Sequence, residues 1–302
     1  MFSGSITALI TPFHHGEIDR KAFDDLVEWQ VEQGSHAVVP CGTTGESPVL
    51  TDDETKYIFE RCVQVVKGRI PVIAGTGSNS TRKAVITTQL ARSCGADGAL
   101  IVAPYYNKPT QEGLFSHYKA IHDSTDIPLV LYNVPGRCGV EISVDSVVRL
   151  AELPRIVGLK DATLDTSRTT LIKSRSKAGF LVFSGEDALA GAYLAQGADG
   201  CISVTANVAP ALCANFQTSW KNKDLETFHA LQTRLAPLHK ALFVETSPAP
   251  VKYAASRLGL CRDEVRLPLV PASESARRAV DSALADVGLI ENAGPDKLRH
   301  HG

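Results

Sequence analysis

The chain has 302 residues, of which 44% are hydrophobic and 21% are charged, and its formal net charge is −2 at pH 7. This composition is typical of a water-soluble protein with a large core. The sequence contains no basic block, which argues against nucleic acid as a partner. No apolar run is long enough to span a membrane, and the apolar N-terminus lacks the basic flank of a signal peptide.

The seven cysteines are odd in number and widely spaced, and no CxxC motif occurs. Such spacing favours reduced thiols in a cytosolic protein over a disulfide framework or a zinc site. The histidines also lack metal-ligand spacing, because His14 and His15 are adjacent and His300 and His301 lie in the tail. We therefore predict a cytoplasmic protein that holds no metal ion.

Taken in chain order, eight short apolar segments each precede a predicted helix. The segments are residues 5–11, 36–40, 70–75, 98–103, 127–132, 156–160, 180–184 and 200–204. They are rich in Val, Ile and Leu without alternation, as is typical of strands buried on both faces. Three helices are predicted to begin at N-cap signals: Asp19, the capping box of Thr51 and Glu54, and Asn79 or Ser80.

This repeat predicts an α/β fold, a single (β/α)8 TIM barrel. The alternative is an open, doubly wound sheet, although no GxGxxG follows the first strand. After about Trp220 the pattern changes to helices only, near residues 224–243, 250–258 and 273–287. We predict a barrel over residues 1–220, a C-terminal helical appendage packed on it over residues 221–290, and a flexible tail over residues 291–302.

Lys160 closes the sixth predicted strand, at the end where such folds place their chemistry. A buried strand seldom ends on lysine unless the ammonium has a partner or a task. A desolvated lysine can attack a carbonyl to form a Schiff base; the alternatives are a surface lysine or a structural pair with Asp161. Tyr132 ends the preceding strand, so its phenol could lie beside Lys160 and move protons.

Two further loops carry groups suited to a carboxylate. Residues 42–47, Gly-Thr-Thr-Gly-Glu-Ser, offer exposed N–H groups and two hydroxyls, and the alternative is a plain turn into a helix. Arg137 offers a planar fork, and the alternative is a surface ion pair. Together with the lysine and the tyrosine, these groups fit a Schiff-base lyase acting on an α-keto acid.

Seven motifs in the predicted loops resemble the dihydrodipicolinate synthase family, within the pyruvate-dependent N-acetylneuraminate lyase superfamily. They are GTTGES, AGTGSN, APYYNKP, LYNVPGR, GLKDAT, SGEDA and GCISVTANVAP. They occur in family order, and the resemblance covers nearly the whole chain, from the segment GSITALITPF to about Leu289.

The resemblance implies a role for each matching residue. Lys160 would form the Schiff base with pyruvate, so no separate cofactor is expected. The implied proton relay consists of Tyr132, Thr43 and Tyr106, the last reaching in from a neighbouring subunit. The implied substrate-binding residues are Thr43 and Thr44 for the pyruvate carboxylate, Arg137 for the carboxylate of L-aspartate 4-semialdehyde, and the backbone of Gly185 and Ile202.

The resemblance also implies a homotetramer, built as a dimer of dimers, in lysine and diaminopimelate biosynthesis. Two alternatives stay open at this point. One is a pyruvate-dependent sugar-acid aldolase or N-acetylneuraminate lyase, although Arg137 and the setting of Tyr106 favour the synthase. The other is a non-catalytic ligand-binding barrel.

A possible effector site is implied at Ser47, Asn79 and Tyr105. Lysine-inhibited bacterial members of the family carry histidines where this chain has Asp52 and Thr55, and a glutamate where it has Lys83. A cation at residue 83 would repel the ammonium of a lysine ligand. We therefore predict weak or absent feedback inhibition by lysine.

Overall fold

The computed structural model describes residues 2–291, so the predicted tail lies outside the described residues except for Glu291. Ten strands are present in this part of the chain: β1 (Gly4–Ala8), β2 (Phe13–His14), β3 (Glu17–Ile18), β4 (Ala37–Val39), β5 (Ile73–Gly75), β6 (Gly98–Val102), β7 (Leu129–Asn133), β8 (Ile156–Asp161), β9 (Leu181–Ser184) and β10 (Gly200–Ser203). All except the hairpin strands β2 and β3 belong to one parallel sheet.

The eight parallel strands form a barrel. The sheet order is β4-β1-β10-β9-β8-β7-β6-β5, and a parallel bridge between Val38 and Val72 joins its two ends. The alternative of an open, doubly wound sheet is therefore wrong. Most strands are shorter than predicted, although β8 extends one residue further, to Asp161. For example, β5 begins only at Ile73, because Pro71 has no N–H to donate.

Twelve α-helices accompany the strands in residues 2–291: α1 (Arg20–Glu32), α2 (Asp52–Val66), α3 (Thr81–Ser93), α4 (Gln111–Asp123), α5 (Pro135–Cys138), α6 (Val144–Ala151), α7 (Ser167–Arg175), α8 (Ala190–Ala195), α9 (Pro210–Lys221), α10 (Leu225–Ala241), α11 (Ala249–Arg257) and α12 (Glu274–Asp286). The predicted N-caps form at Asp19 for α1 and Ser80 for α3, and α2 begins with the capping box of Thr51 and Glu54.

The C-terminal helices share a core with the barrel. One apolar cluster joins Phe23 of α1 and Phe59 of α2 to Leu235 of α10, Val251 of α11 and Val280 of α12. Residues of α10, α11 and α12 thus share apolar contacts with α1 and α2, while the division of the chain into a barrel and an appendage at residue 220 stays a prediction. No helix in residues 2–291 combines the length and the apolar character needed to cross a membrane.

Candidate active site

Lys160 and Tyr132 lie side by side at the carboxyl ends of β8 and β7. The parallel register pairs Tyr132 with Lys160, and the Nζ atom of Lys160 is 4.3 Å from the centre of the Tyr132 ring. The two residues are only 5% and 7% exposed. The predicted neighbours therefore lie side by side, with the amine over the face of the tyrosine ring and little access for water.

The structural alternative for Lys160, an ion pair with Asp161, is wrong. The Asp161 carboxylate accepts hydrogen bonds from Nδ2 of Asn133 at 3.1 Å and from Nε of Arg168 at 2.8 Å. Within residues 2–291, no carboxylate oxygen lies within 4.0 Å of the Lys160 amine. Lys160 is a buried amine without an ionic partner in this part of the chain, as a nucleophile requires.

The wall next to Lys160 is built from backbone and small side chains. A Cβ atom placed on Gly185 would lie 3.0 Å from Cε of Lys160 and 2.7 Å from Cβ of Ala162, so a larger residue would press on the lysine. Ile202 is buried in β10, two strands away from β8. Burial raises the pKa of the neighbouring Glu186 carboxyl, and Asp187 adds to this effect.

The loop of residues 42–47 is a tight, internally bonded turn. The N–H groups of Gly45 and Glu46 donate to the carbonyls of Gly42 and Thr43, each at 3.1 Å, and Oγ1 of Thr11 donates to the Gly45 carbonyl at 2.8 Å. These turn bonds lead directly into the one-turn 3-10 helix Ser47–Val49, so a turn into a helix is present, and the binding of a carboxylate by this loop stays a prediction.

A cavity of about 560 Å³ opens beside this loop. Its lining includes Thr43 and Arg137 from the predicted substrate site. Thr44 is buried in the loop. Lys160 and Tyr132 are not among the residues that line this cavity, so the cavity gathers two of the predicted binding residues without the lysine–tyrosine pair.

Arg137 sits in the one-turn helix α5, directly after β7. Its guanidinium donates to the Ser247 carbonyl at a long 3.5 Å. Among residues 2–291, no carboxylate forms an ion pair with Arg137, so the alternative of a surface ion pair is wrong. Its planar fork is available to an anion that enters the cavity.

Tyr106 does not join the buried pair within a single chain. Its side chain is 88% exposed, and its backbone has a φ of 72°, which a bulky residue rarely adopts. A non-glycine residue held in this region points to a functional constraint. The sequence resemblance assigned Tyr106 to the site of a neighbouring subunit, and this assignment stays a prediction.

Two of the predicted effector residues, Ser47 and Tyr105, line the same cavity as Thr43, together with Asp52, Thr55 and Lys83. The Lys83 Nζ atom lies 3.7 Å from Oδ1 of Asp52, and both side chains are exposed. Asn79 contributes instead to loop structure, because its carbonyl accepts a hydrogen bond from Nδ2 of Asn107 at 2.9 Å.

Sequence reasoning missed two buried ion pairs behind the site. Arg168 is bound to Asp161, next to the reactive lysine, and Lys252 of α11 is bound to Glu46 of the 42–47 loop. The sequence does contain a signal for the second pair, because Lys252 is the single cation in the apolar stretch of residues 248–255 and so needs a buried partner.

Comparisons with known proteins agree with this geometry. A family model described as "Dihydrodipicolinate synthetase family" matches residues 1–287. The 4-hydroxy-tetrahydrodipicolinate synthase of Rhodospirillum centenum is 56% identical over 290 residues, which cover 96% of this chain and 100% of that protein.

Two solved structures show the same fold. The chloride-inhibited dihydrodipicolinate synthase of Acinetobacter baumannii, complexed with pyruvate, has a TM-score of 0.94 at 46% identity and covers 96% of this chain and 100% of its own. A monomeric dihydrodipicolinate synthase variant has a TM-score of 0.94 at 43% identity, covering 96% and 98%. The chain therefore belongs to the dihydrodipicolinate synthetase family.

Proposed function

We propose that this chain condenses pyruvate with L-aspartate 4-semialdehyde, the reaction of a 4-hydroxy-tetrahydrodipicolinate synthase in lysine and diaminopimelate biosynthesis. The observation that carries the proposal is the buried Lys160 amine, free of any carboxylate in the described part of the chain and 4.3 Å from the Tyr132 ring. Two relatives with this name are 56% and 50% identical to the chain over at least 289 residues, which supports the choice of reaction.

The chemistry begins when the amine of Lys160 attacks the keto carbon of pyruvate. The carbinolamine loses water to give an iminium ion, and loss of a proton from the methyl carbon gives an enamine. The Tyr132 phenol lies beside the amine, where it can carry protons to and from the carbinolamine oxygen. The substrate itself supplies the covalent intermediate, so the proposal needs no cofactor.

Carbon–carbon bond formation follows when the enamine attacks the aldehyde carbon of the second substrate. Thr43 and Thr44 hold the pyruvate carboxylate in the 42–47 loop, and Arg137 holds the carboxylate of the aldehyde. The backbone of Gly185 and Ile202 completes the pocket around the adduct. Fixing both substrates by their carboxylates orients the two reacting carbons toward each other.

The assembly we propose is a homotetramer in the cytoplasm. The exposed Tyr106 ring supports an assembly in which a second copy covers it, and seven free cysteines support a reducing compartment. Sedimentation of wild type and Tyr106→Ala, with turnover measured on the same samples, tests this. A fully active monomer would contradict both the proposed tetramer and the proposed role of Tyr106.

The direct test of the reaction couples product formation to dihydrodipicolinate reductase and follows nicotinamide oxidation. Borohydride is used in parallel to trap pyruvate on the protein. Lys160→Ala should abolish both signals, whereas Lys56→Ala, an exposed lysine on α2, should change neither. An adduct that persists in Lys160→Ala would end the assignment. Trapping without turnover would keep the Schiff base and direct the search to sugar-acid aldehydes.

A further inference from the structure

A fully buried ion pair joins the 42–47 loop to the C-terminal helices. The Lys252 Nζ atom is 2.7 Å from Oε1 of Glu46, and the two side chains are 0% and 1% exposed. Burial lowers the pKa of Lys252, and the Glu46 carboxylate opposes that shift. The two residues are 206 positions apart in the chain, so this contact exists only because α11 packs on the barrel.

Arg266, in the segment after α11, secures the same loop from a second side. Its main-chain N–H donates to Oε2 of Glu46 at 2.9 Å, and its guanidinium donates to the Val49 carbonyl at 3.0 Å. The ring of Phe13 lies between the two cations, 4.1 Å from Nζ of Lys252 and 4.3 Å from Cζ of Arg266. Both oxygens of the Glu46 carboxylate are therefore held by the C-terminal segment.

The position of Glu46 couples this anchor to the substrate site. Glu46 follows Thr43 and Thr44 within one turn, and its N–H donates to the Thr43 carbonyl at 3.1 Å. Its φ of 57° is left-handed, which costs free energy for a residue with a side chain. A shift of Glu46 toward an unstrained conformation would therefore move Thr43 and Thr44 with it.

Stability alone is a poor reason for such a pair. A buried ion pair loses about as much by desolvation as it gains by attraction, and apolar residues of similar volume are often as stable. What a buried pair can provide is one fixed conformation. In this loop, a fixed conformation determines where two threonine hydroxyls and several N–H groups point.

We propose that Lys252 is a positioning residue for the pyruvate carboxylate. Through Glu46 it holds the 42–47 loop in the conformation that binds the carboxylate, so Lys252 of α11 acts on the substrate site from outside the barrel. This inference rests on the proposed function, because it assumes that the loop binds a 2-oxo acid.

Lys252→Met tests the inference, because methionine keeps much of the length of the side chain and removes the charge. We expect the KM for pyruvate to rise by about tenfold or more. The pyruvate concentration that gives half-maximal borohydride trapping should rise equally. This is the loss expected when the displaced loop no longer donates one hydrogen bond to the pyruvate carboxylate. The KM for L-aspartate 4-semialdehyde should stay close to that of wild type. Val280→Ala, a core truncation in α12, is the matched control; it should lower the Tm without changing pyruvate binding.

The double variant Glu46→Gln/Lys252→Met decides the matter if the single variant does not fold, since it leaves no unpaired buried charge. It should fold and show the same loss of pyruvate affinity. If either variant folds and binds pyruvate as tightly as wild type, with only a lower Tm, then Lys252 has a purely structural role and the inference is wrong. Failure of wild-type protein to trap pyruvate at all is a different result, and it would overturn the proposed function as well.

Discussion

Adding one methyl group at Gly185 tests the geometry of the reactive lysine most directly. The new Cβ would lie 2.7 Å from Cβ of Ala162 and 3.0 Å from Cε of Lys160. Ordinary carbon–carbon contacts are about 3.5–4.0 Å, so the neighbours must move by roughly 0.5–1.3 Å. Ala162 is close to the backbone and rigid, so most of this movement falls on the flexible end of Lys160.

We expect Gly185→Ala to affect the rate of adduct formation more strongly than the stability of the fold. Overpacking of this kind costs about 1–3 kcal/mol of stability, which a domain of this size survives. A displacement of about 1 Å at a reacting atom reduces a rate by about 10²-fold. Gly185→Ala should therefore fold and yet form the pyruvate adduct about 10²-fold more slowly, with a similar loss in kcat/KM.

The assay is the rate of borohydride-trapped pyruvate incorporation, measured beside the Tm and the coupled turnover. Gly136→Ala is the matched control, because a Cβ at that position meets no heavy atom within 4 Å. It should behave like wild type. Adduct formation at the wild-type rate in Gly185→Ala would show that the Lys160 amine does not depend on this contact, and the steric argument would fail.

Three other predictions concern the acceptor, the effector and acid stability. Arg137→Ala should lower kcat/KM for L-aspartate 4-semialdehyde by about 10–100-fold through the loss of charged hydrogen bonds, while borohydride still traps pyruvate; an unchanged acceptor KM would contradict this. Lysine should not half-inhibit the enzyme at submillimolar concentration, because Lys83 repels its ammonium by up to about 1 kcal/mol at this exposed position, and Lys83→Glu should raise sensitivity in an inhibition titration. Burial lowers the pKa of His117 to about 4. The unfolded chain therefore binds this proton more tightly than the folded chain does, so the free energy of unfolding decreases as pH falls from about 6.5 toward 4, by about 2 kcal/mol at pH 5. His117→Gln should flatten the decrease in unfolding free energy between pH 7 and pH 5 in denaturant titrations, and an equal decrease in both proteins would refute the argument.

The sequence predicted those features of the structure that depend on a local pattern of residues or on the register of parallel strands. Eight unalternating apolar segments predict a parallel barrel, and the register then places Tyr132 beside Lys160 because both end adjacent strands. The capping box at Thr51 is equally local. Strand ends were less well predicted, since residues 9–11 leave the sheet after Ala8 to reach the hairpin of β2 and β3.

The parts that sequence could not predict depend on contacts between distant positions. The partner of Glu46 is 206 residues away, and nothing in either local pattern specifies that pairing. The Arg137 guanidinium likewise meets the Ser247 carbonyl, in the turn that leads into α11. The pair of Lys160 and Tyr132 can thus be predicted from two neighbouring strands, whereas Arg137 and the loop that carries Thr43 and Thr44 each contact a C-terminal segment. In this family member, the barrel strands carry the proposed nucleophile, and the segments after the barrel contact the elements proposed to hold its substrates.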